Sequence, residues 1–449
     1  MIASLALVIA AAPAPYFHDF GEWLYQSRIL ALKIADSAAV AGFIVAPYPV
    51  PNSLAPALLA LLCLVFEPVA AGKIFLIFLL AGWLWVLWRF ARRFAPENSR
   101  GAVLTLLVAV VALASYFWYG FTSYQLALLL FFAFLVWFDE HRSAPWIAGF
   151  GAALFFAHAM VFMAWGLLAI LLVLWGPIRV RHRVLLALVP LGLLVLWFVL
   201  GRRLTGFEAP VADAGMEGVA EFILYKFGSP LLLGGFRNLL LPDGTSLLEQ
   251  HPWLYWLGAT SNALVVLGLG IFVLLVFLEP DRPSSSRDLD GLPPMALPVP
   301  VMRRFGLIVI GCYLIAPYNF FGLIHPGGRL LLPLLAVGLM LARPDRFRWI
   351  RWTAVPAGLG AILSVGAYGL VMYRAATGDL PARAQISASE IPPSGSVFAF
   401  NDWLYRKTRY KYLNYSIFNY SERFRQIRDR QYAGLAFRTG PLTGYQPRP

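Results

Sequence analysis

Long, uninterrupted runs of apolar residues constrain this chain more than any other feature of its sequence. Residues 254–278 contain no charged side chain and exceed the roughly 20 residues that a helix needs to cross a hydrocarbon core of about 30 Å. Over all 449 residues, 60% are hydrophobic and only 13% are charged, a balance that soluble proteins do not show. The sequence therefore predicts an all-α, polytopic membrane protein.

The charged flanks of the apolar runs predict about eleven transmembrane helices, with the N-terminus in the cytoplasm and the C-terminus outside it. The predicted spans are residues 1–14, 70–89, 101–118, 122–138, 144–157, 159–176, 183–201, 254–279, 304–317, 328–343 and 351–373. This arrangement places the arginine-rich loops on the cytoplasmic side of the inner (plasma) membrane. The net charge of +13 then reflects topology and contact with anionic lipids, and we expect no nucleic-acid partner.

Two positions decide how these spans are counted. Residues 2–12 could be the core of a signal peptide, but no basic residue precedes them, so we expect an uncleaved, short first span. The stretch 144–176 could form one long tilted helix. We expect a break at His158 instead, because two short helices keep all the basic loops on one side.

The chain divides into a transmembrane domain, residues 1–373, and a small extracytoplasmic tail, residues 374–449, with a short β segment predicted at 396–400. The first outer loop, 15–69, is predicted to hold two interfacial helices near 21–38 and 53–66. In the first of these helices, one face carries Trp23, Leu24, Leu30 and Ile34, and the polar residues Glu22, Gln26, Arg28 and Lys33 lie off it. A second large outer loop, 202–253, and a flexible inner linker, 280–302, complete the domain.

A short acidic motif follows the first predicted span. Residues 16–22 (YFHDFGE) place His18, Asp19 and Glu22 at the outer membrane surface. A carboxylate there can take a proton from an acceptor hydroxyl, and a neighbouring group or a divalent metal can orient it. Alternatively, Asp19 caps the interfacial helix and Glu22 lies in its first turn.

Four further residues are candidates for binding an anionic substrate. Residues 325–329 (HPGGR) bring His325 and Arg329 to the outer end of a late span, where a guanidinium suits a phosphate and the glycines allow close backbone approach. Lys73, near the outer end of another span, and His158, between two spans, are the other candidates. For Arg329 and Lys73 the alternative is a side chain that extends to water, and for His158 it is a hydrogen-bonded packing role.

The order of these features resembles the GT-C-type membrane glycosyltransferases. A short first span, an acidic site just outside it, an interfacial helix, a proline-rich stretch at 47–51 (PYPVP) and a second interfacial helix occur in that order. The resemblance implies transfer of a sugar from a polyprenyl-phosphate donor on the outer face of the membrane. It also implies that Asp19, by its placement, is the catalytic base or metal-associated group.

The sequence thus predicts a glycosyltransferase with Asp19, Glu22 and His18 as catalytic residues. Lys73, His325, Arg329 and His158 are the predicted substrate-binding residues. The expected partners are a polyprenyl-phosphate-linked sugar, membrane lipids and an acceptor whose identity the sequence leaves open. A non-catalytic scaffold or subunit of a larger assembly is the main alternative, and a transporter is a third.

Overall fold

The chain has an all-α architecture in which two short pairs of strands accompany the helices. The computed structural model describes residues 1–12, 17, 20–35, 43–46, 49–138, 144–176, 180–205, 222–223, 226, 230, 233, 252–278, 297–316, 319–320, 323–324, 326–377 and 442–445. All structural statements below concern these residues.

The helices follow the predicted order, and four short strands lie between or after them. The helices are α1 (Ile2–Ala11), α2 (Phe20–Ala35), α3 (Leu54–Cys63), α4 (Pro68–Phe94), α5 (Arg100–Leu107), α6 (Ser115–Trp118), α7 (Thr122–Trp137), α8 (Ala144–Ala157), α9 (Ala159–Trp175), α10 (Val180–Thr205), α11 (Pro252–Leu278), α12 (Val299–Ile315), α13 (Pro326–Leu341) and α14 (Phe347–Thr377). The strands are β1 (Phe43–Val45), β2 (Asn319–Phe320), β3 (Leu323–Ile324) and β4 (Leu442–Tyr445).

A helix lies at every position where a membrane span was predicted. Four helical segments in the described ranges are long and apolar enough to cross a membrane, namely Pro68–Phe94, Glu97–Trp118, Pro252–Leu278 and Pro344–Leu370. These segments mark the chain as a membrane protein. Other apolar helices are 10–17 residues long, so the number of eleven spans stays a prediction.

Helices α8 and α9 form an antiparallel hairpin whose tip is His158. The rings of Phe155 and Phe162 lie 5.3 Å apart, and Gly151 packs against Trp165. Each of these pairs is nearly symmetric about residue 158, which requires the chain to reverse direction there. The predicted break at His158 is therefore confirmed.

Gly151 permits the close approach of the two hairpin helices. A Cβ atom at this position would lie 2.6 Å from Cη2 of Trp165, whose side chain is fully buried. Gly151→Ala is therefore expected to lower the free energy of unfolding by about 1–3 kcal/mol, as overpacking typically does. The thermal unfolding midpoint of the detergent-purified protein measures this effect.

Gly149→Ala is the matched control for that substitution. Gly149 lies on the same helix, and an added Cβ there would meet nothing within 4 Å. We expect the midpoint of Gly149→Ala to stay at or above that of the wild type, since alanine favours the helix. Equal midpoints for the two variants would contradict the observed packing of the hairpin.

A break in the helical chain between α5 and α7 creates the short helix α6. The residues Val108–Ala112 form a π-helical turn after α5, and Gly120 adopts a positive φ of 76° between α6 and α7. The side-chain amide of Gln125 donates to the Val111 carbonyl oxygen at 3.2 Å. This bond ties α7 to the π-helical turn and fixes the direction in which α7 begins.

A strand in the predicted tail pairs with a strand in the predicted first outer loop. Strand β4 pairs antiparallel with β1, so that Phe43 lies opposite Tyr445 and Ile44 opposite Gly444. Two paired strands must lie on the same side of a membrane, which agrees with the predicted outer position of both segments. The β segment predicted at 396–400 lies outside the described residues.

Helix α2 buries Trp23 and Leu24 of its predicted apolar face and also two polar residues off that face. Gln26 and Ser27 are buried, whereas Ile34 is 66% exposed. The helix packs against α3 and α4, so protein contacts decide which of its side chains are covered. The Ser27 hydroxyl is accommodated because it donates to the Trp23 carbonyl oxygen at 2.5 Å.

The predicted linker 280–302 ends earlier than expected. Helix α12 already begins at Val299. Its first turn contains Pro300, which is tolerated there because the N–H that proline lacks would have no intrahelical partner. The residues 279–296 lie outside the described part of the chain.

Candidate functional site

The N-terminal ends of α7, α9 and α13 meet at one place in the interior. Nη1 of Arg329, in the first turn of α13, lies 3.2 Å from Nε2 of His158, which precedes α9. The hydroxyl of Tyr124, in the first turn of α7, donates to the Arg329 carbonyl oxygen at 2.6 Å. Because each helix N-terminus carries a partial positive charge, the three ends together favour an anion at this point.

Arg329 is buried among aromatic rings. Arg329 is only 6% exposed, so its side chain does not extend to water. The guanidinium carbon lies 4.7 Å from the ring centroid of Phe121, 5.6 Å from that of Tyr124 and 5.9 Å from that of Tyr116. The ring faces offset part of the cost of burying the charge and hold the guanidinium in place.

His158 has a hydrogen-bond donor at each ring nitrogen. Nδ1 accepts from the Met160 backbone N–H at 3.2 Å, which caps α9, and Nε2 faces the Arg329 guanidinium. A neutral imidazole has one acceptor nitrogen and a protonated one has none. At least one ring N–H therefore points at another donor, and an oxygen acceptor placed beside Nε2 and Arg329 could bind both.

The structure brings two of the predicted substrate-binding residues into contact, a pairing that the sequence analysis did not predict. His158 and Arg329 are 171 residues apart in the chain. For His158 the sequence predicted either a hydrogen-bonded packing role or a substrate contact. In the structure its side chain caps α9 and also contacts Arg329.

The acidic motif is described only at its flanks. His18, Asp19 and the side chain of Glu22 lie outside the described residues, although the backbone of Glu22 belongs to α2. The Phe17 ring lies 5.2 Å from that of Phe117 in α6 and stacks on Tyr368 at 5.0 Å. Since Tyr116 and Phe117 are consecutive, α6 contacts Arg329 through one residue and the flank of the acidic motif through the next.

Lys73 serves the end of another helix. Its Nζ donates to the Ala10 carbonyl oxygen at 3.0 Å, in the last turn of α1, where carbonyl groups lack intrahelical partners. The neighbouring Gly72 packs against Phe20, so Lys73 lies near the start of α2. Its predicted contact with a donor phosphate stays a prediction.

The glycines before Arg329 bring α13 close to α12. A Cβ atom on Gly327 would lie 3.2 Å from the Tyr313 ring and 3.4 Å from Cβ of Ala316. The expected close backbone approach is thus present at Gly327. His325 itself lies outside the described residues.

Lys226, in the predicted outer loop 202–253, is an anchor that the sequence analysis missed. Its Nζ donates to the carbonyl oxygens of Tyr313 and, at 2.5 Å, of Ala316, at the C-terminal end of α12. The Tyr313 hydroxyl donates back to the Lys226 carbonyl oxygen. Burial lowers the pKa of Lys226, and no sequence pattern pairs it with α12.

No metal-binding cluster of three His, Cys, Asp or Glu side chains occurs among the described residues. Comparison with protein-family models, curated proteins and solved structures finds no match to this chain. The site's own geometry therefore carries the functional argument.

Proposed function

We propose that the chain is a GT-C-like membrane glycosyltransferase that moves a sugar from a polyprenyl-phosphate donor to an acceptor on the extracytoplasmic face. The observation that carries the proposal is the contact between Arg329 and His158 at three converging helix N-termini. A buried guanidinium in that setting suits the phosphate of a lipid-linked sugar.

In the proposed reaction, Asp19 takes the proton of an acceptor hydroxyl as its oxygen forms a bond to the sugar's anomeric carbon. The bond between that carbon and the phosphate oxygen breaks, and the polyprenyl phosphate leaves with the electron pair. Arg329 stabilises the negative charge that develops on the departing phosphate. Glu22 and His18 are the proposed neighbours that orient Asp19.

We also propose the eleven-span topology, with the site facing outward. The helices α7, α8, α9 and α13 have 16, 14, 17 and 16 residues, which corresponds to lengths of about 21–26 Å. A hydrocarbon core is about 30 Å thick. If the cytoplasmic ends of these helices lie at the inner surface, their outer ends lie below the outer surface, which supports a recess above Arg329 and His158.

The pairing of β1 with β4 gives a test of this orientation. Phe43→Cys and Tyr445→Cys place two thiols on opposing residues of the strand pair, within the Cα separation of a disulfide. In an oxidising extracytoplasmic compartment we expect the disulfide to form without added oxidant. Labelling of the denatured protein with maleimide-PEG after extraction would then detect no free thiol.

The background and control make that result specific. The native free thiols, Cys63 and Cys312, are first replaced by alanine. Burial raises the pKa of Cys63 to about 11, which lowers the reactivity of this thiol but does not remove it. Phe43→Cys with Leu442→Cys is the control, since Leu442 pairs with Val45 instead. A 43–445 disulfide that forms only after oxidant is added to opened cells would contradict the proposed orientation.

Analysis of cells that lack the protein tests the proposed reaction. Mass spectrometry of lipid-linked sugars and surface glycans should detect an accumulated donor lipid and a missing glycan residue, both restored by the wild-type gene. The scaffold alternative assigns to Lys73 only its structural contact with α1. It predicts that the donor lipid does not accumulate when the protein is absent.

A further inference from the structure

Lys226 binds the C-terminal end of α12 through both its side chain and its backbone. Its Nζ donates to the carbonyl oxygens of Tyr313 and, at 2.5 Å, of Ala316, where helical carbonyl groups lack intrahelical partners. The Tyr313 hydroxyl donates in return to the Lys226 carbonyl oxygen. An ammonium group at this position also offsets the partial negative charge of the helix end. Three hydrogen bonds thus join the predicted outer loop to one turn of α12.

The start of α13 packs against the same turn of α12. A Cβ atom on Gly327 would lie 3.2 Å from Cδ2 of Tyr313, 3.4 Å from Cβ of Ala316 and 3.4 Å from the Tyr313 carbonyl oxygen. Tyr313 and Ala316 are the two residues whose carbonyl groups Lys226 binds. Because Gly327 has no side chain that could adjust, a shift of the α12 end is transmitted to the start of α13.

The connection between these two helices is itself a paired hairpin. Helix α12 ends at Ile315 and α13 begins at Pro326. Between them β2 pairs antiparallel with β3, so that Asn319 lies opposite Ile324. The end of α12, the strand pair and the start of α13 are therefore one compact unit, and Lys226 is bonded to it.

Arg329 lies in the first turn of α13, two residues after Gly327. Its Nη1 lies 3.2 Å from Nε2 of His158, and its guanidinium carbon lies 4.7 Å from the ring centroid of Phe121. Since Arg329 is buried, its side chain has little freedom to compensate for a displaced backbone. Misplacement of a catalytic group by about 1 Å can lower a rate about 100-fold.

We infer that Lys226 is a positioning residue for Arg329. It holds the C-terminal turn of α12, and the contact of that turn with Gly327 fixes the start of α13 and the place of the Arg329 guanidinium. This inference rests on the proposed function, in which Arg329 binds the phosphate of the lipid-linked sugar. The predicted outer loop 202–253 thereby controls the phosphate site without a substrate contact from Lys226, whose Nζ is already bonded to two carbonyl oxygens.

Hydrogen exchange of the purified full-length protein in phosphatidylcholine nanodiscs, followed by mass spectrometry, tests the coupling itself. Lys226→Met keeps the length of the side chain but removes the donors and the charge. We expect it to speed exchange in peptides that cover residues 327–332 about tenfold, as for loss of a hydrogen bond from a charged group. Tyr313→Phe, which removes only the returning bond, should speed it about threefold. Faster exchange confined to the loop would overturn the inference.

Arg28→Met is the matched control for the exchange experiment. Nη1 of Arg28 donates to the Cys63 carbonyl oxygen at 3.3 Å, at the C-terminal end of α3, so this variant loses a similar bond at a different helix end. We expect it to leave exchange at residues 327–332 within about twofold of the wild type, since distant sites respond independently. An equal increase in Arg28→Met and Lys226→Met would contradict a specific link from Lys226 to α13.

A double-substitution cycle in the sugar-transfer assay tests whether Lys226 acts through Arg329. Lys226→Met alone should lower transfer about tenfold. In an Arg329→Lys background the same substitution should lower transfer at most about twofold, because residues that act through one group are not additive. A purely structural role would instead give a tenfold loss in both backgrounds, and that result would overturn the inference.

The two experiments separate this inference from the proposed function. If Lys226→Met speeds exchange in α13 as expected but the wild-type protein transfers no sugar, the coupling of Lys226 to α13 stands and the proposed function is refuted. If the wild type transfers sugar and Lys226→Met changes neither exchange in α13 nor transfer, the positioning role is refuted and the proposed function stands.

Discussion

Arg329→Lys is expected to lower sugar transfer about 100-fold. Lysine keeps the positive charge but loses the planar fork that binds two phosphate oxygens at once. It also loses the contact with Nε2 of His158 and the ring contacts around the guanidinium. Removal of one preorganised donor to a developing negative charge typically costs about 10²–10³ in rate. Donor consumption by membranes that contain matched amounts of each variant measures the effect.

Arg304→Lys is the control for that substitution. The Arg304 guanidinium lies 4.5 Å from the ring centroid of Trp175, so this arginine has a similar aromatic contact at a place remote from the three helix N-termini. We expect its donor consumption to stay within about twofold of the wild type. Equal activity of Arg329→Lys and the wild type would mean that the Arg329 contacts serve the fold alone.

Asp19→Asn is expected to lower transfer about 10²–10⁴-fold, the usual effect of removing a general base. Asparagine is almost the same size as aspartate and caps helices equally well. This matters because α2 begins at Phe20, directly after Asp19. Loss of transfer with Asn at this position would therefore be assigned to the carboxylate and not to a helix cap.

Two other carboxylate substitutions provide comparisons for the effect of Asp19→Asn on transfer. Glu97→Gln alters an exposed residue that pairs with Arg100, and we expect no change in transfer. Glu22→Gln, at the proposed neighbour of the base, should cause a smaller loss than Asp19→Asn. Full restoration of the glycan by Asp19→Asn would identify Asp19 as a cap and remove the proposed base.

The positions of the helices were predictable because they depend on local hydropathy. Even the break at His158, which no glycine or proline marks, followed from the distribution of basic loops. The burial of Gln26 and Ser27 in α2 was not predictable, because it depends on packing against α3 and α4.

The candidate site was predicted as separate residues rather than as an arrangement. Arg329 and His158 were each singled out, but their contact depends on how three distant helices pack. Tyr124 lies in an apolar run and gave no signal of its own.

Transfer by the purified protein is the most direct test of the proposed glycosyltransferase. A lipid extract and a glycan fraction from cells that lack the protein should contain its unused donor and acceptor. We expect wild-type protein to convert the lipid-linked sugar to polyprenyl phosphate and to add one sugar to the glycan, as detected by mass spectrometry, and Arg329→Lys to do so about 100-fold more slowly. An unchanged lipid and glycan after incubation with folded wild-type protein would contradict the proposed function.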